Sequence, residues 1–211
     1  MIDEQTDKSR HSFWKELPIL LGVAIVVAVL VRAFVLQTFF IPSPSMENTL
    51  QIDDRVLVNK LVYNFRSPHR GEVIVFKAPV EWSGNPSGED FIKRVIGVGG
   101  DRVVCCDDQD RLVINGTSLD EPYIYSVDGH RDKPADQEFD IVVPDGRLWV
   151  MGDHRSASGD SLEHYQQSGQ SITSATIAEK EVVGRAFTIF WPVGRATLLS
   201  VPEQFDAIPK P

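Results

Sequence analysis

The sequence predicts a mainly β protein: an N-terminal transmembrane helix followed by a folded β-sheet or barrel-like domain that carries a smaller inserted β subdomain. Three observations lead there. Pro18 to Val31 runs fourteen residues without a charge. Seven short runs rich in Val, Ile and Phe follow it, separated by clusters of Gly, Pro and Asp. The 211-residue chain is 42 % hydrophobic and 24 % charged, the balance of an ordinary globular protein with one core.

The apolar run continues past Arg32 to Leu36, nineteen residues from Pro18. As a helix that is about 28 Å, close to the hydrocarbon thickness of a bilayer. Arg32 lies about one turn from the outer end, where its long stem carries the guanidinium to the interface. A buried core helix would show a polar stripe, and this run has none. Lys8, Arg10 and Lys15 precede the run, and no Lys or Arg occurs from Gln37 through Asp54. That asymmetry predicts a cytoplasmic segment over 1–16, an anchor over 17–36 and an extracytoplasmic remainder. Phe34 to Phe40 is too bulky for the small-residue pattern of a cleavage site, so the anchor is retained. Ala186 to Val193 is only eight residues and contains Pro192, which reads as a buried strand and not a second span.

Residues 1–36 hold four basic and four acidic side chains, so the net charge of -9 belongs entirely to the exported part. Such a balance argues against a duplex nucleic-acid binder, which needs a basic face. The predicted strands are 55–62, 72–77, 91–96, 102–106, 111–114, 139–143 and 182–190. Asn115-Gly116 is a type I′ hairpin signal, because both central positions of that turn require positive φ. Met46 to Leu50 reads as one helical turn and Ser174 to Glu181 as two, with Ser174 as cap. Residues 107–146, with eleven acidic side chains, read as the inserted subdomain, leaving 37–106 and 147–211 as the main sheet domain. Cys105 and Cys106 cannot build a disulfide framework or a zinc site and read as two thiols on opposite faces of a strand. The five histidines show no metal-ligand spacing, so neither a metal nor another cofactor is expected.

Three segments carry chemistry. In Ile41-Pro-Ser-Pro-Ser-Met46 the prolines stiffen the backbone and push Ser43 toward extended geometry, presenting two hydroxyls ahead of a helical turn. By itself this also fits a rigid spacer. In Phe91-Ile-Lys-Arg-Val-Ile96, a strand puts Phe91, Lys93 and Val95 on one face and Ile92, Arg94 and Ile96 on the other. Burial there would lower the lysine pKa toward a general base's range, while an edge lysine would keep its ordinary value. Met151-Gly-Asp-His-Arg-Ser-Ala-Ser-Gly-Asp-Ser161 is dense in hydrogen-bonding groups just after Leu148-Trp-Val150, so it is either an exposed turn or a place where polar groups converge.

In this order, after an N-terminal anchor, the three segments together with Arg70-Gly-Glu-Val-Ile-Val-Phe-Lys77 resemble bacterial type I signal peptidase, the membrane-bound Ser/Lys protease of protein export. Gly100-Asp101 and Val183-Gly-Arg185 extend the resemblance along nearly the whole chain. It implies Ser45 as nucleophile, Lys93 as general base, Ser43 as an oxyanion-hole hydroxyl beside the Ser45 N–H, and Ser158 as the hydroxyl that orients the lysine. Asp153 with Arg94 is implied as a supporting ion pair, and Asp160 as a second acid shaping the site. The implied partners are signal-peptide-bearing preproteins and the lipid bilayer.

The chain departs from the family pattern at three positions. Pro44 stands where many relatives have glycine, and His154 replaces a common asparagine. Leu162 occupies a position where some relatives carry an arginine that pairs with the acid two residues earlier, which leaves the partner of Asp160 open, with Arg155 a candidate. Ser45 is nine residues beyond Leu36, within about 32 Å of the span even if fully extended, so the site is expected to work near the lipid surface. Phe39, Phe40 and Trp82 are the expected interfacial aromatics.

Overall fold

The computed structural model describes residues 6–211, and residues 1–5 of the predicted cytoplasmic segment lie outside them. The chain forms two compact units, 1–37 and 38–211. In the first, the helix α1 (Thr6–Phe34) runs through Pro18, and the predicted span falls on it. Ile19, Leu20, Leu21, Val23, Ile25 and Val26, which at about 100° per residue point all around the axis, are each more than half exposed. The side chains at 6–15, 28, 30, 33 and 34 lie outside those described. Among the described residues no helix is long and apolar enough to cross a membrane.

The strands are, in chain order, β1 (Leu36–Phe40), β2 (Arg55–Asn59), β3 (Val73–Lys77), β4 (Asp90–Val98), β5 (Arg102–Cys105), β6 (Leu112–Ile114) and β7 (Thr117–Ser118). They continue as β8 (Ser126–Val127), β9 (His130–Arg131), β10 (Phe139–Val142), β11 (Arg147–Met151), β12 (Ile177–Ala178), β13 (Val182–Trp191) and β14 (Thr197–Leu198). Three short helices accompany them, α2 (Val80–Ser83), α3 (Ser161–Gln167) and α4 (Ile172–Ala175). The main sheet runs β1-β2-β13-β3-β4-β11-β12, with β14 paired to β13; a smaller sheet runs β10-β5-β6-β7, and β8 pairs β9. The main sheet thus ends at β1 and β12 among the described residues, the folded-sheet form of the two expected.

Both faces of the main sheet are buried. Val73 and Val75 join one apolar cluster with Met46, Leu50 and Val56, while Ile74 and Phe76 join another with Val95, Leu148 and Val150. A strand covered on both sides needs no polar alternation, which is why β3 reads as an unbroken Val-Ile-Val-Phe run. A third cluster, with Ile96, Val103, Leu112, Phe139 and Trp149, welds the smaller sheet to β4 and β11. Asn115 and Gly116 have φ of 50° and 81° and join β6 to β7 in the predicted hairpin.

Several expectations are corrected. Leu36–Phe40, for which no strand was predicted, forms β1 at the edge of the main sheet. Residues 102–105, assigned to the main sheet domain, pair with β6 and β10 in the smaller sheet instead, because Val103 packs into its core. The predicted helix over 174–181 is replaced by α4, capped by the Ser171 hydroxyl, and by β12, which completes the sheet beside β11. A 3-10 turn over Pro44–Met46 precedes the turn read over Met46 to Leu50, in which the Leu50 N–H donates to the Met46 carbonyl at 2.7 Å. Cys105 and Cys106 are bonded to each other across a cis peptide that brings their Cα atoms to 3.0 Å, so they are not the two free thiols expected. Trp82 is not interfacial: α2 folds its loop back, the indole packs edge-on to Phe76, and its Nε1 donates to the Ser174 carbonyl at 2.8 Å.

Candidate active site

The turn that carries Ser45 is shaped by its prolines and held by its apolar residues. Ser43 is extended (φ -125°, ψ 156°), as a residue before proline must be, and Pro44 opens the 3-10 turn. Met46 and Leu50 are fully buried, each contributing about 1.5–3 kcal/mol of burial free energy. The carbonyl of Ser45 accepts the His154 N–H at 3.1 Å. With that backbone pinned, the Ser45 side chain faces a groove of about 460 Å³, lined among others by Phe39, Ile41, Phe91, Lys93 and His164.

Lys93 sits in the middle of β4, opposite Ile74 and between β3 and β11. Its Nζ lies 2.7 Å from Ser45 Oγ and 5.5 Å from the centre of the Phe91 ring. Only 4 % of Lys93 is exposed. Burial disfavours the ammonium and draws its pKa down to about 8, against an opposing pull from Asp160, Asp153 and Glu163. The face assignment read from the strand period agrees with this packing: Phe91 and Val95 lie with Ile74 and Phe76 in one cluster. Ser43 Oγ is 3.4 Å from Ser45 Oγ, so both hydroxyls border the same space.

Register explains the ion pair behind the dyad. Met151 pairs with Arg94 across β11 and β4, so Asp153, two residues on, arrives beside the guanidinium. Nε and Nη2 of Arg94 donate to the two Asp153 oxygens at 2.8 and 2.6 Å. Nη1 donates to the Gly71 carbonyl at 2.8 Å, and Thr49 Oγ1 donates to Asp153. Asp160 caps α3, accepting the N–H groups of Gly152 at 2.9 Å and Leu162 at 3.1 Å. Arg155 is not its partner: that guanidinium pairs with the buried Glu121 and donates to the carbonyls of Gly152 and Pro134. Two backbone donors thus occupy the Asp160 oxygens.

Ser158 Oγ is buried without a hydrogen-bond partner among the described residues, so the bond to Lys93 implied by resemblance is not formed. It lies against Gly152, whose absent Cβ is the reason it fits. A Cβ there would come within 2.3 Å of both Ser158 Oγ and the Ser45 carbonyl oxygen. Gly152 and Glu121 therefore belong to the frame of the site, although sequence reasoning assigned them no role. Gly152 was visible inside a polar motif, whereas nothing about Glu121 distinguished it within an acidic loop.

The profile of the family described as signal peptidase, peptidase S26, matches residues 14–191. The chain is similar to a probable signal peptidase I-2 of Synechocystis sp., 36 % identical over 211 residues, covering 98 % of this chain and 88 % of the relative. It is similar to a probable signal peptidase I of Mycobacterium leprae, 37 % identical, covering 89 % and 79 %. A solved structure of a signal peptidase I from Enterococcus faecalis is 30 % identical with a TM-score of 0.43, covering 57 % of this chain and 97 % of that one.

Proposed function

From the premise that the chain belongs to the signal peptidase family, peptidase S26, we propose that it removes N-terminal signal peptides from exported preproteins with a Ser45/Lys93 dyad, at the outer face of the cytoplasmic membrane. The observation that carries this reading is the 2.7 Å contact between Lys93 Nζ and Ser45 Oγ inside a buried strand. Neutral Lys93 takes the Ser45 proton as the oxygen attacks the scissile carbonyl. The Ser45 N–H and the Ser43 hydroxyl donate to the oxyanion. The lysine then protonates the leaving amine, and as a base again it activates the water that frees Ser45. Asp153 with Arg94, and Asp160, hold the surrounding backbone, and no orienting role is given to Ser158, whose hydroxyl makes no bond to Lys93. Purified protein incubated with a precursor bearing an Ala-x-Ala site, beside Ser45→Ala, tests this reading, and undiminished cleavage by the variant would remove it.

A pH profile follows from the lysine. The reacting form is neutral, so kcat/KM rises with pH through an apparent pKa near 8 and levels off above it. A rise centred near 10.5 would place the working lysine in water.

The membrane setting rests on the exposed apolar side chains among those described on α1, and on a second apolar surface. Trp191, Val193 and Leu198, along the end of β13 and its hairpin with β14, are all more than half exposed, as is Phe40. These residues take the interfacial role that the sequence gave to Trp82. Trp82 and Trp149 are buried. With Trp14→Phe as background, the full chain in vesicles is therefore expected to show quenching by brominated lipid that Trp191→Phe abolishes. Quenching that survives the substitution would put this hairpin away from lipid.

A further inference from the structure

We propose that Glu121, in the inserted subdomain, is a positioning residue for the dyad, acting through Arg155 on the backbone that seats Ser45; the proposal rests on the Ser/Lys reading above. The Gly152 peptide unit is gripped at both ends. Its N–H donates to Asp160 at 2.9 Å, and its carbonyl accepts Arg155 Nε at 2.9 Å. Gly152 lies so close to the Ser45 carbonyl oxygen and to Ser158 that any Cβ would clash with both. Two residues further on, the His154 N–H holds the same Ser45 carbonyl at 3.1 Å. A shift of Gly152 is therefore passed directly to the turn that presents the nucleophile.

Glu121 is what fixes Arg155. The carboxylate is 3 % exposed, and its two oxygens accept Nη1 and Nη2 of the guanidinium. Nη1 also donates to the Pro134 carbonyl at 2.6 Å, and the Tyr123 hydroxyl donates to Glu121 at 2.7 Å, so the carboxylate is itself held. A planar fork engaged through all three nitrogens has little freedom left, and Nε is delivered to the Gly152 carbonyl. The residues after Glu121 meet the site at two further points. The Tyr123 carbonyl accepts the Asn48 amide at 3.1 Å, and the Tyr125 N–H donates to the Asp153 carbonyl at 2.8 Å. Neither Glu121 nor Arg155 lines the groove, so their loss acts on the placement of Ser45 and not on the binding of substrate.

Steady-state kinetics of the full chain on a peptide with an Ala-x-Ala site, read beside the melting temperature, separate this role from simple packing. Glu121→Leu leaves Arg155 buried and unpaired. It is expected to lower the melting temperature, and to lower kcat about tenfold with KM within about twofold, the scale of a small misplacement of a reacting group. Glu121→Leu combined with Arg155→Met removes both charges, and apolar replacement of a buried pair restores stability. The melting temperature is then expected to return toward the parent's while kcat stays about tenfold low, because the Gly152 carbonyl has lost its donor. Arg155→Lys keeps a cation for Glu121, but its single nitrogen cannot serve the Gly152 carbonyl as well, and its kcat is expected to match that of the double variant. Should either leucine variant fail to fold, Arg155→Lys carries the test. Full kcat in folded Glu121→Leu or in Arg155→Lys, a kcat that recovers with the melting temperature in the double variant, or a loss expressed in KM would overturn the proposal. Failure of the underlying reading shows separately, as cleavage that survives Ser45→Ala.

Discussion

Ser45→Ala and Lys93→Ala are each expected to lower cleavage of an Ala-x-Ala precursor by on the order of 10⁴-fold or more, the scale seen when a nucleophile or its base is deleted from a unit that works together. On this reading the acyl-enzyme needs Oγ, and the amine at 2.7 Å is the base in contact with it. Combining the two substitutions should cost no more than the worse of them. Lys93→Arg should fail equally, since a guanidinium does not give up its proton near neutral pH and its planar head does not fit the space of a single ammonium. The control is the melting temperature. Among the described residues the Ser45 hydroxyl hydrogen-bonds only with the Lys93 amine and the Ser43 hydroxyl, so Ser45→Ala should melt close to the parent. Substantial activity in any folded member of this set would mean that another group is the nucleophile or the base.

Asp153→Ala is expected to destabilise the fold by about 3–5 kcal/mol, the cost of leaving a buried charge without its partner. Arg94 is 2 % exposed and always charged, and of its polar partners only Asp153 is an anion. Its guanidinium also lies 4.1 Å from the centre of the Tyr123 ring, a contact that offsets part of the loss but does not replace two charged hydrogen bonds. Asp153→Asn should be milder, because an amide oxygen can still accept one of them. Urea unfolding of the three proteins measures the differences, and a loss below about 1 kcal/mol for Asp153→Ala would show that water reaches Arg94. Activity should fall with stability, since the segment that carries Asp153 also carries His154, whose N–H holds the Ser45 carbonyl.

Much of this was legible in order along the chain. β2, β3, β4, β6, β10 and β13 lie where β-branched and aromatic runs predicted strands, since such runs mark backbone that must be covered. The Asn115-Gly116 turn was readable because its chemistry is local: only positive φ at both positions closes that hairpin. Alternation along β4 put Lys93 with Phe91 and Val95, because a strand leaves a side chain only two directions. The Ser45 turn was readable from its prolines for the same reason.

What the tertiary structure alone decided depends on distance in sequence and on who covers whom. Trp82 sat in a loop of Gly, Ser and Pro, and composition placed it in water or lipid; one short helix turned it into the core beside Phe76. The strand over Leu36–Phe40 was not predicted because a strand's hydrogen bonds come from another segment, here β2. Asp160 lost a side-chain partner on paper and found two backbone N–H groups, which carry no signature in the residue types. Arg155 likewise reached Glu121, thirty-four positions away. The sequence by itself determined which residues have the chemistry and which backbone conformations they prefer. Their pairing awaited the fold, because a hydrogen bond or an ion pair is fixed by geometry in three dimensions, and neighbours in space need not be neighbours in the chain.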